Sequence, residues 1–228
     1  MNKIIAIDGP AGSGKGTITK IIAEKLHLIY IDTGATYRAI ALAALRNNLT
    51  LNDTDKIIEL AKTLTIEFDE NGKTYLNKED VSNEIRSVEV TGVVSQISSI
   101  PEIREILVDL QRKMAHDKDV IMEGRDITTV VFPDTKYKFY LDADVNERAR
   151  RRYIQNQEMG IESNLEEIIE AMKKRDYNDM HKPIGSLKRT EDQIYIDSTN
   201  MTIDEVVKKI ITYIEEISKN ETHESLTR

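Results

Sequence analysis

The stretch Gly9-Pro10-Ala11-Gly12-Ser13-Gly14-Lys15-Gly16-Thr17 has the residue types and spacing to hold phosphate. Its form is G-x-x-x-x-G-K, set between an apolar run and a helical pattern. Glycines let backbone N–H groups turn inward around an oxyanion, and the N-terminus of the following helix adds positive potential. Lys15 would reach the terminal phosphates of a nucleotide such as ATP as a point charge. Loops of this kind commonly carry Ser or Thr after the lysine as a magnesium ligand; here Gly16 stands in that place, with Thr17 one residue later. A Mg²⁺ ion arriving with the nucleotide is then expected to rest mainly on phosphate oxygens and water, with no direct protein ligand.

Holding a second, anionic substrate calls for guanidinium groups, whose fork matches phosphate oxygens. Arg38 follows Asp32-Thr33-Gly34 by one helical turn, Arg125 stands in Glu123-Gly124-Arg125-Asp126, and Arg175 opens Arg175-Asp176-Tyr177-Asn178-Asp179. Arg148, Arg151 and Arg152 share one helix face by i, i+3, i+4 spacing. That face is either a solvated charged surface or a lid that closes on phosphates and excludes water. The run Asn77-Lys78-Glu79-Asp80 matches the N-K-x-D guanine signature on its surface. It lies beside a hairpin rather than after a late core strand, and no D-x-x-G switch accompanies it. We read it as an exposed polar turn.

The elements that must position these groups are legible as periodicity. Five short apolar runs, at residues 3–8, 28–32, 119–123, 136–142 and 193–197, suit strands covered on both faces. Helical patterns lie between them: Thr17–Leu26, the stripe Ile103, Ile106, Leu107, Leu110 and Met114 behind Pro101, and a final helix over Thr202–Ile217. The alternation predicts an α/β fold with a parallel sheet of about five strands flanked by helices. Ligands in such sheets bind beyond the carboxyl ends of the strands, which here read Asp8-Gly9, Asp32-Thr33, Glu123-Gly124-Arg125-Asp126, Asp142 and Asp197-Ser198. Asn71-Gly72 between two β-prone runs predicts a hairpin inside a small antiparallel insertion at about residues 64–95. We expect one domain over residues 1–218, with a short helical lid at about 148–162 and a polar, frayed tail over 219–228.

Composition narrows the classes further. With 32 Lys and Arg against 40 Asp and Glu, the net charge of −8 argues against broad nucleic-acid binding. The absence of cysteine removes disulfides, thiolate zinc sites and a cysteine nucleophile, and fits a reducing cytoplasm. The apolar run Ile4–Ile7 is too short for a signal peptide or a membrane span.

The chain resembles the bacterial cytidylate kinases, a branch of the P-loop nucleoside monophosphate kinases, from about Asn2 to Ile217. The resemblance rests on Ile7–Thr17, on Asp32-Thr33-Gly34-Ala35-Thr36-Tyr37-Arg38, on Gly124-Arg125-Asp126-Ile127-Thr128-Thr129-Val130-Val131-Phe132-Pro133, and on the Arg175/Asp179 segment. It implies transfer of the ATP γ-phosphoryl group to CMP or dCMP by a monomer. It also implies that Thr33, Ser95, Arg104 and Asp126 surround the cytosine, that Arg38, Arg125 and Arg175 hold the acceptor phosphate, and that Asp179 bonds the pentose hydroxyls. Lys15, Arg125 and Arg175 become the catalytic set. The pattern departs at Lys182, where the family usually has arginine, and in the Pro-Leu pair that usually follows; lysine keeps the charge but loses the fork.

Overall fold

The computed structural model describes residues 2–69 and 72–226. Its centre is a parallel sheet of β1 (Ile4–Asp8), β2 (Ile29–Asp32), β6 (Val120–Gly124), β7 (Tyr137–Asp142) and β8 (Ile194–Asp197), in the order β2-β6-β1-β7-β8. All five strands lie where the apolar runs predicted them, trimmed by one residue at their starts. Alternation splits each strand between two layers. Ile5, Ile7, Phe139 and Leu141 pack with Ile18 and Ile22 of α1 (Lys15–Leu26) and with Val207 and Ile210 of α8 (Ile203–Leu226). Ala6, Ile31, Val120 and Met122 face the other way, onto Val108, Ile127 and Val131.

A second apolar cluster lies beside the sheet. It joins α2 (Thr33–Arg46), α3 (Thr54–Thr63), α4 (Val88–Ile97) and α5 (Pro101–Met114) around Ile40, Ile57, Ile85, Ile97 and Ile103. The Asp32 side chain caps α2, accepting from the Ala35 N–H at 3.0 Å. Against this cluster rests an antiparallel sheet of β3 (Ile66–Phe68), β4 (Thr74–Leu76) and β5 (Glu79–Asp80). The predicted hairpin is present, although Asn71 itself lies outside the described residues. Asn77 and Lys78 form the exposed turn between β4 and β5.

Three boundaries differ from the sequence reading. Strands occupy only residues 66–80 of the insertion. From Glu84 onward it is helical, because Ser87 caps α4 and Val90 and Ile97 bury against the helical cluster. Helix α1 begins at Lys15, since Gly14 already adopts the left-handed turn that ends the loop. Residues 219–226, read as a frayed tail, continue α8. The segment expected to form a lid, about 148–162, falls on most of α6 (Val145–Glu158) and the turn after it, which leads into α7 (Leu165–Met180).

Phe139 has no solvent exposure and fills the layer under α1 and α8. Phe139→Ala is expected to lower the unfolding free energy by about 3–5 kcal/mol, measured by urea denaturation; a loss below about 1 kcal/mol would contradict that packing.

Candidate active site

The parallel register brings the strand ends level. Asp32 pairs with Glu123, Asp8 with Gly124 and Tyr140, and Asp142 with Asp197. The charged groups of the site therefore share one edge of the sheet. Asp8 is fully buried there and accepts from the Ile127 N–H (2.9 Å), the Thr128 N–H (2.8 Å) and the Thr128 hydroxyl (2.6 Å). Burial outweighs these bonds and pushes its carboxyl above the usual range. Asp8 was legible only as one of several strand-end carboxylates; its structural role comes from the turn over Ile127–Val131, which no local pattern announced.

The phosphate loop runs from β1 into α1 with Gly12 and Gly14 in the left-handed region (φ 78° and 89°). Helix α1 has no side-chain cap and no acidic residue in its first turn, which leaves its amides available to an oxyanion. Lys15 is buried and donates to the Pro10 carbonyl at 2.7 Å and the Ser13 hydroxyl at 3.4 Å. Burial, reinforced by the Arg125 guanidinium, pushes its ammonium down to about 7. Glu123 faces this loop. Its Oε1 accepts from the Tyr30 hydroxyl at 2.7 Å and lies 2.9 Å from where a Cβ on Gly16 would stand. Burial and the neighbouring Asp32 raise the Glu123 carboxyl above its ordinary value.

Five of the sequence-predicted acceptor residues, Arg125, Asp179, Lys182, Arg104 and Asp126, form one connected chain with Ser98. Arg125 Nε donates to Asp179 Oδ2 (2.9 Å), and Lys182 Nζ lies 3.2 Å from Asp179 Oδ1. Lys182 Nζ also donates to the Ser98 hydroxyl (2.9 Å), while Arg104 Nη1 donates to the Ser98 carbonyl (3.1 Å). Arg104 Nη2 closes the chain on Asp126 Oδ2. Burial pushes the Asp126 carboxyl up to about 6 even though Arg104 pulls the other way. The Arg104 guanidinium lies over the Tyr37 ring, 5.5 Å from its centroid. Ser98 was missed by sequence reasoning: a serine at a helix C-terminus carries no signal that it will join two cations. Ser95, which was named, lies one turn earlier; its carbonyl accepts from the Ser98 and Ser99 hydroxyls.

The other acceptor arm is Arg38, whose Nη2 donates to Asp32 Oδ2 at 2.7 Å. Arg86 reaches the same oxygen at 3.3 Å from the insertion. The Nε atoms of Arg38 and Arg104 are buried with no hydrogen-bond partner. Arg175 keeps exposed surface and has no hydrogen bond or ion pair among the described residues; burial around its guanidinium, and then the neighbouring Arg125, hold its pKa below the ordinary value. Thr33 donates to the Glu123 carbonyl at 2.7 Å, fixing α2 to β6.

The three lid arginines do not act as one face. Arg148 is buried and saturated: it donates to the carbonyls of Ala143 (2.8 Å) and Ala11 (3.0 Å) and to Asp176 (2.6 Å). Arg151 donates to the Ser198 carbonyl at 2.7 Å, with its Nη1 4.0 Å from the Cβ position of Gly14. Arg152 is exposed and bonds only Gln155. The reason is angular: at about 100° per residue, Arg151 and Arg152 fall on opposite sides of the Arg148 meridian, and only Arg151 turns toward the loop.

A parallel sheet, a glycine-rich loop capped by a buried lysine, and a cluster of guanidinium groups beyond the strand ends define a P-loop kinase. A gluconokinase from Sinorhizobium meliloti 1021 shares this fold, with a TM-score of 0.53 at 11% identity, covering 98% of this chain and 97% of that one. The sequence profile of the cytidylate kinase family matches residues 5–216. A cytidylate kinase of Lactobacillus johnsonii is 49% identical over 219 residues, 95% of each chain. One from Caldanaerobacter subterraneus subsp. tengcongensis is 48% identical over 95% of this chain and 96% of its own, and one from Clostridioides difficile is 43% identical over 93% and 98%. The chain belongs to the cytidylate kinase family.

Gly185 has φ +62°, and a Cβ there would lie 1.9 Å from Arg104 Nη2. Gly185→Ala is expected to dislodge Arg104 from Asp126 and to lower the unfolding free energy by about 1–3 kcal/mol. Urea denaturation checks this; unchanged stability would show that Arg104 is free to shift without cost.

Proposed function

We propose that the cleft transfers the γ-phosphoryl group of ATP in line to CMP or dCMP, through the residues assembled above. The observation that carries this reading is the set of incompletely satisfied guanidinium groups beyond the strand ends, two arginines of which, Arg125 and Arg175, act on the loop lysine. Arg175 has no partner among the described residues, the Nε atoms of Arg38 and Arg104 are buried and unpaired, and Arg125 and Arg175 are close enough to Lys15 to depress its pKa. A buried unpaired donor such as Arg38 Nε calls for an acceptor, and Arg175 keeps all its donors free; a phosphate dianion supplies several oxygens to both at once.

The loop from Gly9 to Thr17 wraps the donor phosphates, and Lys15 swings from the Pro10 carbonyl onto their oxygens. Arg38, Arg125 and Arg175 hold the acceptor phosphate and offset its repulsion from the donor. The attacking phosphate oxygen is already anionic at neutral pH, so no general base is required; positioning and charge stabilisation supply the rate. Asp179 bonds the pentose, with Lys182 and Arg125 keeping its carboxylate ionised. Lys182 spans Asp179 and Ser98 with a single ammonium, which is how lysine serves where the family usually has a fork. Asp126, with Thr33, Ser95 and Arg104 around it, accepts from the cytosine amino group; uracil presents a carbonyl there and is repelled. Arg148 stays a strut between loop and lid, and Arg151 is the lid arginine aimed at the phosphates.

The donor set fits a magnesium ion carried in with ATP: one half-buried carboxylate, Glu123, faces the first turn of α1, and no cluster of three acidic or histidine ligands exists among the described residues. Bound there, magnesium would neutralise phosphate oxygens, with Glu123 holding it through water. The working unit we infer is a cytoplasmic monomer that takes nucleotides and no nucleic acid; no described helix is long and apolar enough to cross a membrane.

Lys15→Met is expected to reduce kcat by about 10²–10³-fold with an unchanged far-UV circular dichroism spectrum; a near-wild-type rate would defeat the mechanism. Asp126→Ala is expected to lower the CMP-over-UMP ratio of kcat/KM by at least about tenfold. In the wild type, ionised Asp126 is the stronger acceptor, so the CMP-over-UMP preference should fall as pH drops through about 6 and hold above it. A CMP/UMP ratio unmoved by the substitution would remove Asp126 from base recognition.

A further inference from the structure

Tyr30 is not among the residues that the loop, the arginines or the base contacts require, yet three parts of the molecule converge on it. Its hydroxyl donates to Glu123 Oε1 at 2.7 Å. One side of its ring meets the hairpin of the insertion: a Cβ added to Gly72 would lie 3.1 Å from Tyr30 Cδ1. Over the ring stands the Lys20 ammonium of α1, 5.5 Å from the centroid. The ring is thereby held between the acceptor-side insertion and the donor-side helix, with little freedom to carry its hydroxyl elsewhere.

The carboxylate it holds occupies a particular place. Glu123 Oε1 is 2.9 Å from the position of a Cβ on Gly16, the residue that stands where other phosphate loops carry a hydroxyl for the metal. A side chain at position 16 would displace this carboxylate from where it now lies. The chain has kept the carboxylate, and one of its two oxygens is tied to Tyr30. Hydrogen bonding one oxygen fixes the rotation of a carboxylate and so aims the other.

We propose that Tyr30 is a positioning residue for the donor site: its hydroxyl orients Glu123 toward the cation that accompanies the nucleotide, in compensation for the hydroxyl missing at Gly16. This rests on the kinase reading above. Tyr30 touches neither nucleotide; it acts through Glu123. The hairpin contact at Gly72 makes the orientation depend on the insertion being seated, so that the acceptor side of the molecule contributes to holding the donor side.

The test is Tyr30→Phe, which keeps the ring between Gly72 and Lys20 and deletes only the hydroxyl. ATP affinity is measured by calorimetry with and without Mg²⁺, alongside kcat and KM for CMP. Loss of one hydrogen bond to a charged group corresponds to about a tenfold change. The expected result is that MgATP binds the variant about tenfold more weakly, metal-free ATP binds both proteins alike, kcat falls, and KM for CMP is unmoved. Equal MgATP affinity in the two proteins overturns the proposal, as does equal weakening with and without the metal, which would mean a general disturbance of the loop. A wild-type chain that fails to phosphorylate CMP would overturn the kinase reading instead. An active wild type whose gain in ATP affinity from Mg²⁺ matches that of the variant sinks only the role of Tyr30.

Discussion

Carboxylates at the carboxyl ends of parallel strands must find partners, because little water reaches them and an unpaired charge there is costly. Asp8 meets the constraint with three hydrogen bonds to Ile127 and Thr128, which draws the segment after β6 across the end of β1. Asp126 is thereby turned to Arg104, and Arg125 to Asp179. Asp32 meets it with the cap of α2 and the Arg38 and Arg86 guanidinium groups. Glu123 meets it with Tyr30 and the field of Lys15. Each solution brings a different element to the same sheet edge, so satisfying the carboxylates and assembling the cleft are one event.

The guanidinium groups are the counterpart. Their carboxylate partners hold them in place, yet several N–H groups stay unsatisfied. An arginine with every nitrogen bonded, such as Arg148, is a strut. A partly saturated one such as Arg38 or Arg104 is pre-aimed and still has something to offer a ligand. The distinction separates an arginine whose nitrogens are all engaged within the protein from those with a nitrogen left for the ligand we propose.

The positions that the sequence reading singled out as unusual have local counterparts in neighbouring groups. Lys182 lacks a fork but reaches Asp179 and Ser98 at once. Gly185, in the same segment, has no side chain, and the Arg104 guanidinium passes through the space that one would fill. Gly16 lacks a hydroxyl, and the Glu123 carboxylate stands where the side chain would begin.

By itself the sequence determined the phosphate loop, the places of the five strands and the sheet edge at which their charged ends gather, though not that the outer strands β2 and β8 leave Ile29 and Tyr195 exposed. These follow from short-range causes: glycine spacing, period-two and period-3.6 apolar patterns, and the rule that parallel strands end together. It also singled out Arg38, Arg125 and Asp126 by their strand-end placement, and the family resemblance added Ser95 and Arg104. Only the tertiary structure decided which charges pair. Ser98 with Lys182, Tyr30 with Glu123 and Arg148 with Asp176 lie 84, 93 and 28 residues apart, and no local pattern encodes such pairings. The same holds for the division among Arg148, Arg151 and Arg152. Their spacing set them on one side of a helix, but whether an arginine there is buried as a strut, turned to the loop or left in water depends on what the rest of the chain packs against each meridian.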